Sequence, residues 1–497
     1  MELGLEILSF LANLLAFVIG LFFLWLIYAF FSDRFQTRHS LRRNYPVVGR
    51  FRYFFENLGV FFRQYFFAMD REEMPFNRAD RSWVYRAAKN DSLNVAFGST
   101  RDITRPGTPI FLNAFIPMSE QDKKPPAAIT FGPFCAQPYT TSSIFNISAM
   151  SYGALSAPAV QALSRGAKMA GCWLNTGEGG LSDHHLSGGC DIVFQIGTAK
   201  YGVRDANGYL NDDKLKAVAA HPQVKMFEIK LSQGAKPGKG GILPAAKVTE
   251  EIARIRHIPV AQSSISPNGH AEVKSPADLL DLINHVRTVT GKPTGIKFVL
   301  GAAGWLRELY AEIQLRGIES APDFITLDSG DGGSGAAPQP LMDTTGLSIR
   351  ESLPFVLASL ERAKLRERVR VIVSGKLITP VNVAVALAAG ADAVNSARGF
   401  MFALGCIQAM QCDKNTCPTG VTTHDRRLQR GLDPADKGVR VANYHKSITD
   451  SVTMIAHSCG VEEPRQLTLE HVSFVTESGY SSYLRETYTN TAESDRR

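Results

Sequence analysis

Eight short apolar or β-branched runs, each closed by Gly, Ser, Asn or Asp and followed by a helix-like stretch, predict an α/β protein. Buried strands alternating with helices mean a parallel sheet, and eight such units are the count of a closed (β/α)8 TIM barrel. A second observation adds an N-terminal transmembrane helix: no charged residue occurs from Ile7 to Ser32. The third is composition. With 44% hydrophobic and 20% charged residues, the chain is that of a folded protein.

Taken in order, residues 1–32 form the anchor. A hydrocarbon core needs about 20 apolar residues, and this run exceeds that. A cleaved signal would have a basic start and a shorter core, whereas Glu2 and Glu6 stand here and the exit reads Phe-Phe-Ser-Asp. Arg34, Arg38, Arg42, Arg43, Arg50 and Arg52 all follow the span. By the positive-inside rule this predicts a single-pass membrane protein with its remainder on the cytoplasmic side, Trp25 and Tyr28 lying near the exit. These arginines carry much of the net charge of +7, which is local and does not point to nucleic acid.

Residues 33–125 form a juxtamembrane and approach segment. Phe51 to Phe67 is aromatic but broken by Arg52, Glu56 and Arg63, so it reads as a helix lying on the membrane or against the main domain. Arg71 to Gln121 reads as irregular, and Pro125-Pro126 marks a boundary. The barrel is expected over 126–425, with strands at Phe145–Ala149, Cys172–Asn175, Ile192–Ile196, Met226–Ile229, Gly295–Val299, Phe324–Leu327, Val369–Val373 and Ala393–Asn395. Residues 426–497 are expected to be a helical extension.

Residues just after each barrel strand gather at one face, where active sites lie. Here they include Met150-Ser151-Tyr152-Gly153, Asn175 to Gly180, Gln195, Lys230 to Lys236, Lys297, Ser329 to Gly333, Ser374-Gly375-Lys376 and Ser396 to Gly399. Lys230, Lys236, Lys297, Lys376 and Arg398 make that mouth cationic. A phosphate ligand in such a barrel sits after strands seven and eight, at Ser374-Gly375-Lys376 and Arg398-Gly399. Turn geometry alone also enriches such loops in glycine. Three of the seven cysteines, Cys406, Cys412 and Cys417, follow in the run GCIQAMQCDKNTCPTG. Thiols this close can share a metal centre, and Pro418 matches the Cys-Pro ending of ferredoxin loops. A helix burying Cys406, with two incidental loop thiols, is the other reading. The odd cysteine count without framework spacing indicates a reducing compartment.

Five motifs occur in order: ISAMSYGALS from Ile147, NTGEGG from Asn175, EIKLSQGAKPGKGGILP from Glu228, SGDGGSGAAP from Ser329, and GC-x5-C-x4-CP-x-GV from Gly405. Over roughly Gly132 to Asp425 the chain resembles the flavin-binding synthase domain of glutamate synthase, in particular the stand-alone, membrane-anchored FMN-binding glutamate synthase family. The resemblance implies an oxidoreductase with FMN and a [3Fe-4S] cluster held by Cys406, Cys412 and Cys417. It implies that electrons pass from the cluster to the flavin and then reduce the imine of 2-oxoglutarate and ammonia to L-glutamate. It places Met150, Ser151, Gly153, Asn175, Gln195, Lys297, Ser329, Gly332, Gly333, Gly375 and Lys376 around the flavin, with Ser374, Arg398 and Gly399 in the proposed phosphate loops. Glu178, Lys230, Gln233 and Lys236 would face the oxo-acid.

Residue chemistry agrees. Lys230 and Lys236 suit the carboxylates of a dicarboxylic acid. Glu178 is the expected proton donor to the amine nitrogen, or alternatively a partner of its own glycine turn's amides. Lys297 would stabilise charge on the reduced flavin, or pair with Asp328. His184 and His185 read as surface or substrate-lid residues, Cys172 as core filling, and Cys135, Cys190 and Cys459 have no assigned role. The sequence shows no amidotransferase domain and no dinucleotide fingerprint. Ammonia is therefore expected from solution or from glutamine through a separate glutaminase subunit. Electrons are expected from a ferredoxin-like protein, a reductase subunit or a membrane carrier. A related redox enzyme acting on another oxo-acid or imine, and a cofactor-free interaction protein, are the competing readings.

Overall fold

All eight expected strands pair side by side in a closed parallel barrel in the computed structural model, which describes residues 2–122 and 124–486. They are β1 (Phe145–Ile147), β2 (Leu174–Asn175), β3 (Ile192–Ile196), β4 (Val224–Lys230), β5 (Thr294–Val299), β6 (Phe324–Asp328), β7 (Arg370–Ser374) and β8 (Ala393–Ser396). Closure comes from β8 against β1, with Asn395 opposite Asn146 and Ser396 opposite Ile147. Every residue of β3, β5 and β6 is buried, as befits strands covered on both faces.

The N-terminal mouth is plugged by an antiparallel hairpin, Ile129–Phe131 with Tyr139–Thr141. Phe131 meets Trp173, which precedes β2, and Phe324, which begins β6, each ring at 5.8 Å and edge-on. This apolar plug leaves the C-terminal mouth for chemistry. The helix after β1, Ala157–Ala170, is capped by Ser156, whose hydroxyl accepts from Ala159 N at 3.3 Å, and ends at Gly171 with φ +69°. It packs on Pro434–Ser458, where Gly166 leaves room for Val441 and the Gly438 carbonyl.

The chain forms two compact units, Met1–Ala79 and Asp80–Arg497. In the first, Glu2–Phe35 is a single exposed helix, long and apolar enough to cross a membrane; a signal sequence meets the same criterion. Two expectations change. The approach segment is not wholly irregular: Arg78–Lys89 is a helix, and Pro109–Phe111 is a strand. Nor is the region after 425 only helical. Val472–Val475, buried throughout, is the central strand of a small antiparallel sheet between Pro109–Phe111 and Ser481–Tyr483.

Candidate active site

A pocket opens at the C-terminal ends of the barrel strands. Met150, Ser151, Glu178, Gln195, Lys230, Gln233, Lys236, Gly333, Arg398 and Cys412 all line it. Each was expected at the site from its position after a strand or on the cysteine loop. At the centre, Lys230 Nζ lies 3.2 Å from Glu178 Oε2 and 2.5 Å from Gln233 Oε1. Glycine is required around Glu178: a Cβ on Gly197 would stand 2.6 Å from Glu178 Cβ, and one on Gly241 would strike its carboxylate. Burial opposes ionisation of Glu178, but the charges of Lys230 and Lys236 overcome it and hold the carboxyl below its usual range. Lys236 moves the other way. Burial, assisted by neighbouring Lys230, brings its ammonium down to about 8.

Beneath this cluster a polar network in the barrel interior centres on Glu228. Buried Glu228 accepts from Asn175 Nδ2 at 2.8 Å, Gln195 Nε2 at 2.7 Å and Thr326 Oγ1 at 2.5 Å. Asn175 Oδ1 in turn accepts from Gly177 N at 2.9 Å, fixing the turn that carries Glu178. Lys297 Nζ lies 3.3 Å from Asp328 Oδ2. Although burial opposes it, Asp328 and Glu228 hold that ammonium above its usual range. Asp328 also accepts from Ser374 Oγ at 2.6 Å and Gly234 N at 3.0 Å.

The remaining expected residues surround this centre without lining the pocket. Ser329 donates to Asp331 and accepts from Ile349 N at 3.0 Å. Gly332 packs on Gly234, and Gly375, at φ +120°, packs on Ser329. Lys376 pairs with Asp331 at 3.0 Å. Gly399 is required by packing, since a Cβ there would run into the Tyr444 hydroxyl. Gly153, at φ +106°, offers its carbonyl to His424 Nε2 at 2.8 Å.

Arg398 joins two loops. Its guanidinium donates to the Ser334 carbonyl at 2.6 Å and reaches Cys412 Sγ at 3.8 Å. Cys406 and Cys417 are buried, Cys412 is half-buried, and all three thiols are free. Cys417 Sγ lies 3.5 Å from Thr419 Oγ1. Among the described residues no three His, Cys, Asp or Glu side chains converge tightly enough to hold a metal ion.

His185 corrects the sequence reading. It is fully buried, not a surface or lid residue. Its Nε2 donates to the Met150 carbonyl at 2.9 Å and its Nδ1 lies 2.8 Å from Ser182 Oγ, while burial lowers its imidazolium to about 4. It is a neutral strut behind Met150. His184 lies 3.1 Å from Glu251 Oε1 and edge-on to Tyr152.

Two lining cations escaped sequence reasoning. Buried Lys247 donates to the Cys412 carbonyl at 2.7 Å and the Ala154 carbonyl at 3.2 Å. Buried Arg256 donates to the Tyr152 carbonyl at 3.3 Å, and its Nε has no hydrogen-bond partner among the described residues. Both lie in the long excursion after β4, where Ile242–Leu243 pairs with Ser264–Ile265. Five cations (Lys230, Lys236, Lys247, Arg256 and Arg398) thus face two carboxylates (Glu178 and Asp413) across one pocket. Such a pocket selects an anion.

The profile of the conserved region in glutamate synthase matches residues 119–462. The "Glutamate synthase large subunit-like protein YerD" of Bacillus subtilis is 40% identical, across 94% of this chain and 96% of that protein. A "Glutamate synthase large subunit-like protein" of Rhizobium meliloti is 28% identical, over 82% and 92%. The "Archaeal-type glutamate synthase [NADPH]" of Thermotoga maritima is 33% identical over 63% of this chain, which spans 58% of that protein. Among solved structures, the recombinant flavin-binding domain of baker's yeast flavocytochrome b2 is 15% identical, covers 83% of each chain and gives a TM-score of 0.44. The barrel rests on its own strand pairing. Fold and family together define a glutamate synthase-like oxidoreductase built on a parallel (β/α)8 barrel. The chain belongs to the glutamate synthase family.

Proposed function

We propose that this protein reduces the imine of 2-oxoglutarate and ammonia to L-glutamate, using FMN and a [3Fe-4S] cluster. The observation that carries the substrate class is the charge of the pocket, with five cations against two carboxylates. A five-carbon oxo-diacid brings two negative charges to groups already desolvated. Arg256, buried and without a carboxylate hydrogen-bond partner among the described residues, and Lys230 are the cations assigned to its carboxylates.

Protons are handled by Glu178 and Lys236. Imine formation releases water, and reduction at carbon leaves the nitrogen to be protonated. The sequence alone suggests Glu178 as the donor. Held ionised beside Lys230, Glu178 is better suited to accept a proton from the incoming ammonium and to keep Lys230 in place. Lys236, near 8, is poised to donate one at neutral pH.

The cofactor assignments rest on family and donor chemistry. Residues expected around FMN lie on the ends of β1, β2, β3, β5, β6, β7 and β8, with Gln195 and Gly333 in the pocket wall. Three free thiols on one loop, with Arg398 and Lys247 beside Cys412, have the chemistry of a sulfur-ligated iron site. When bound, FMN would supply the two-electron reduction, and the cluster would supply electron delivery from an external carrier or reductase. The apolar helix Glu2–Phe35 is read as a membrane anchor with the barrel on the cytoplasmic side, on the strength of the arginines that follow it. Absorbance spectroscopy with flavin and iron analysis of anaerobically purified protein tests the cofactor assignment. Flavin and iron bands together are expected; colourless folded protein would overturn it.

A further inference from the structure

We infer that Val48–Phe67 is a second membrane element, lying in the plane of the lipid–water interface with its aromatic face among acyl chains and its flanking arginines toward anionic headgroups. This rests on reading Glu2–Phe35 as the anchor. Val48–Phe62 is an α-helix that continues as a π-helical turn through Phe67. Phe51, Phe54, Phe55, Leu58, Phe61 and Phe62 recur at three- and four-residue spacing, so they share one face. Phe51, Phe54, Phe55 and Phe61 are each more than half exposed. A run of phenylalanines this exposed needs a non-aqueous partner. Arg52 and Glu56 occupy the opposite side and pair at 2.9 Å.

The turn from the anchor fixes this helix. Asp33, near the end of Glu2–Phe35, is fully buried beneath Arg42 Nη2 at 2.5 Å and Arg50 Nε at 2.6 Å, and accepts from Val47 N at 3.0 Å. Gly49 allows the new helix to press on the Leu41 and Arg42 backbone, where a Cβ would come within 2.9 Å of the Leu41 carbonyl. The aromatic face is thereby tied to the exit of the apolar helix. Arg34, Arg38 and Arg43 remain exposed near it, which gives the occupant its charge: an anionic bilayer surface.

Photocrosslinking in the full-length protein tests this. Benzoylphenylalanine replaces Phe55, Phe61, Glu56 or, as a separate reporter of the spanning helix, Leu14, in vesicles of phosphatidylcholine and phosphatidylglycerol. Lipid adducts at Phe55 and Phe61 in yields several times that at Glu56 are expected, with a severalfold fall at Phe55 when phosphatidylglycerol is omitted. Adducts from Phe55 and Phe61 to protein, or yields equal to Glu56, would overturn the inference, and an unchanged yield without phosphatidylglycerol would remove the anionic partner. Lipid adducts at Leu14 alone would sink this inference while sustaining the anchor; adducts at none of these positions would sink both.

Discussion

Glu178 and Lys230 form the ion pair on which the pocket is built, with Oε2 and Nζ 3.2 Å apart and both side chains largely buried. Lowering of the Glu178 carboxyl means that its pairing stabilises the fold above its ordinary value near 4.5 and is lost as pH falls through the depressed one. Replacing Glu178→Gln leaves Lys230 without its countercharge, at a cost of about 3 kcal/mol in unfolding free energy. It also makes the pocket more cationic. A lower KM for 2-oxoglutarate together with a lower kcat is expected from steady-state kinetics.

Lys236 sets the alkaline limb. Its ammonium is brought down to about 8 from an ordinary 10.5, so carrying the charge costs stability below about 8 and that cost is relieved as pH rises toward 10.5. Activity that needs the protonated form falls as pH rises through 8. Lys236→Met should lower kcat roughly 100-fold. Lys236→Arg should move the alkaline limb of the pH profile upward, past the range of the wild type.

Arg398 ties the Ser334 loop to the cysteine loop through its bonds to the Ser334 carbonyl and Cys412 Sγ. Arg398→Met should lower thermal stability by about 1.5–3 kcal/mol, the range for a hydrogen bond to a charged group. Flavin titration of the same variant should show weakened binding, because Gly333 packs directly on that guanidinium.

Cys412→Ser separates the two cofactors. Iron content should be lost while flavin is retained, since the residues assigned to FMN lie outside the cysteine loop. Metal analysis beside flavin absorbance reads both, and full iron occupancy in the variant would contradict the cysteine assignment.

The barrel was legible because its strands are buried on both sides and so read as unbroken apolar runs. Ile192–Ile196 was placed to the residue, and the others differ by one or two positions at their ends, where the ladder and not composition decides. The pocket was legible wherever a side chain follows a strand directly, as at Glu178, Lys230 and Arg398. Lys247 and Arg256 were missed because they lie beyond Pro244, where the recognised motif ends; the basic run Lys236 to Arg256 was the available signal. The bonds from Asn175 and Gln195 to Glu228 join three different strands, so no local pattern shows them. His185 lay hidden for the same reason: the Met150 carbonyl that its buried ring bonds is 35 residues away.

Turnover tests the central claim most directly. With a reduced artificial electron donor under anaerobic conditions, the purified protein should convert 2-oxoglutarate and ammonia to L-glutamate, and Lys230→Ala should abolish it. Protein that carries flavin and iron yet forms no glutamate under those conditions would contradict the account.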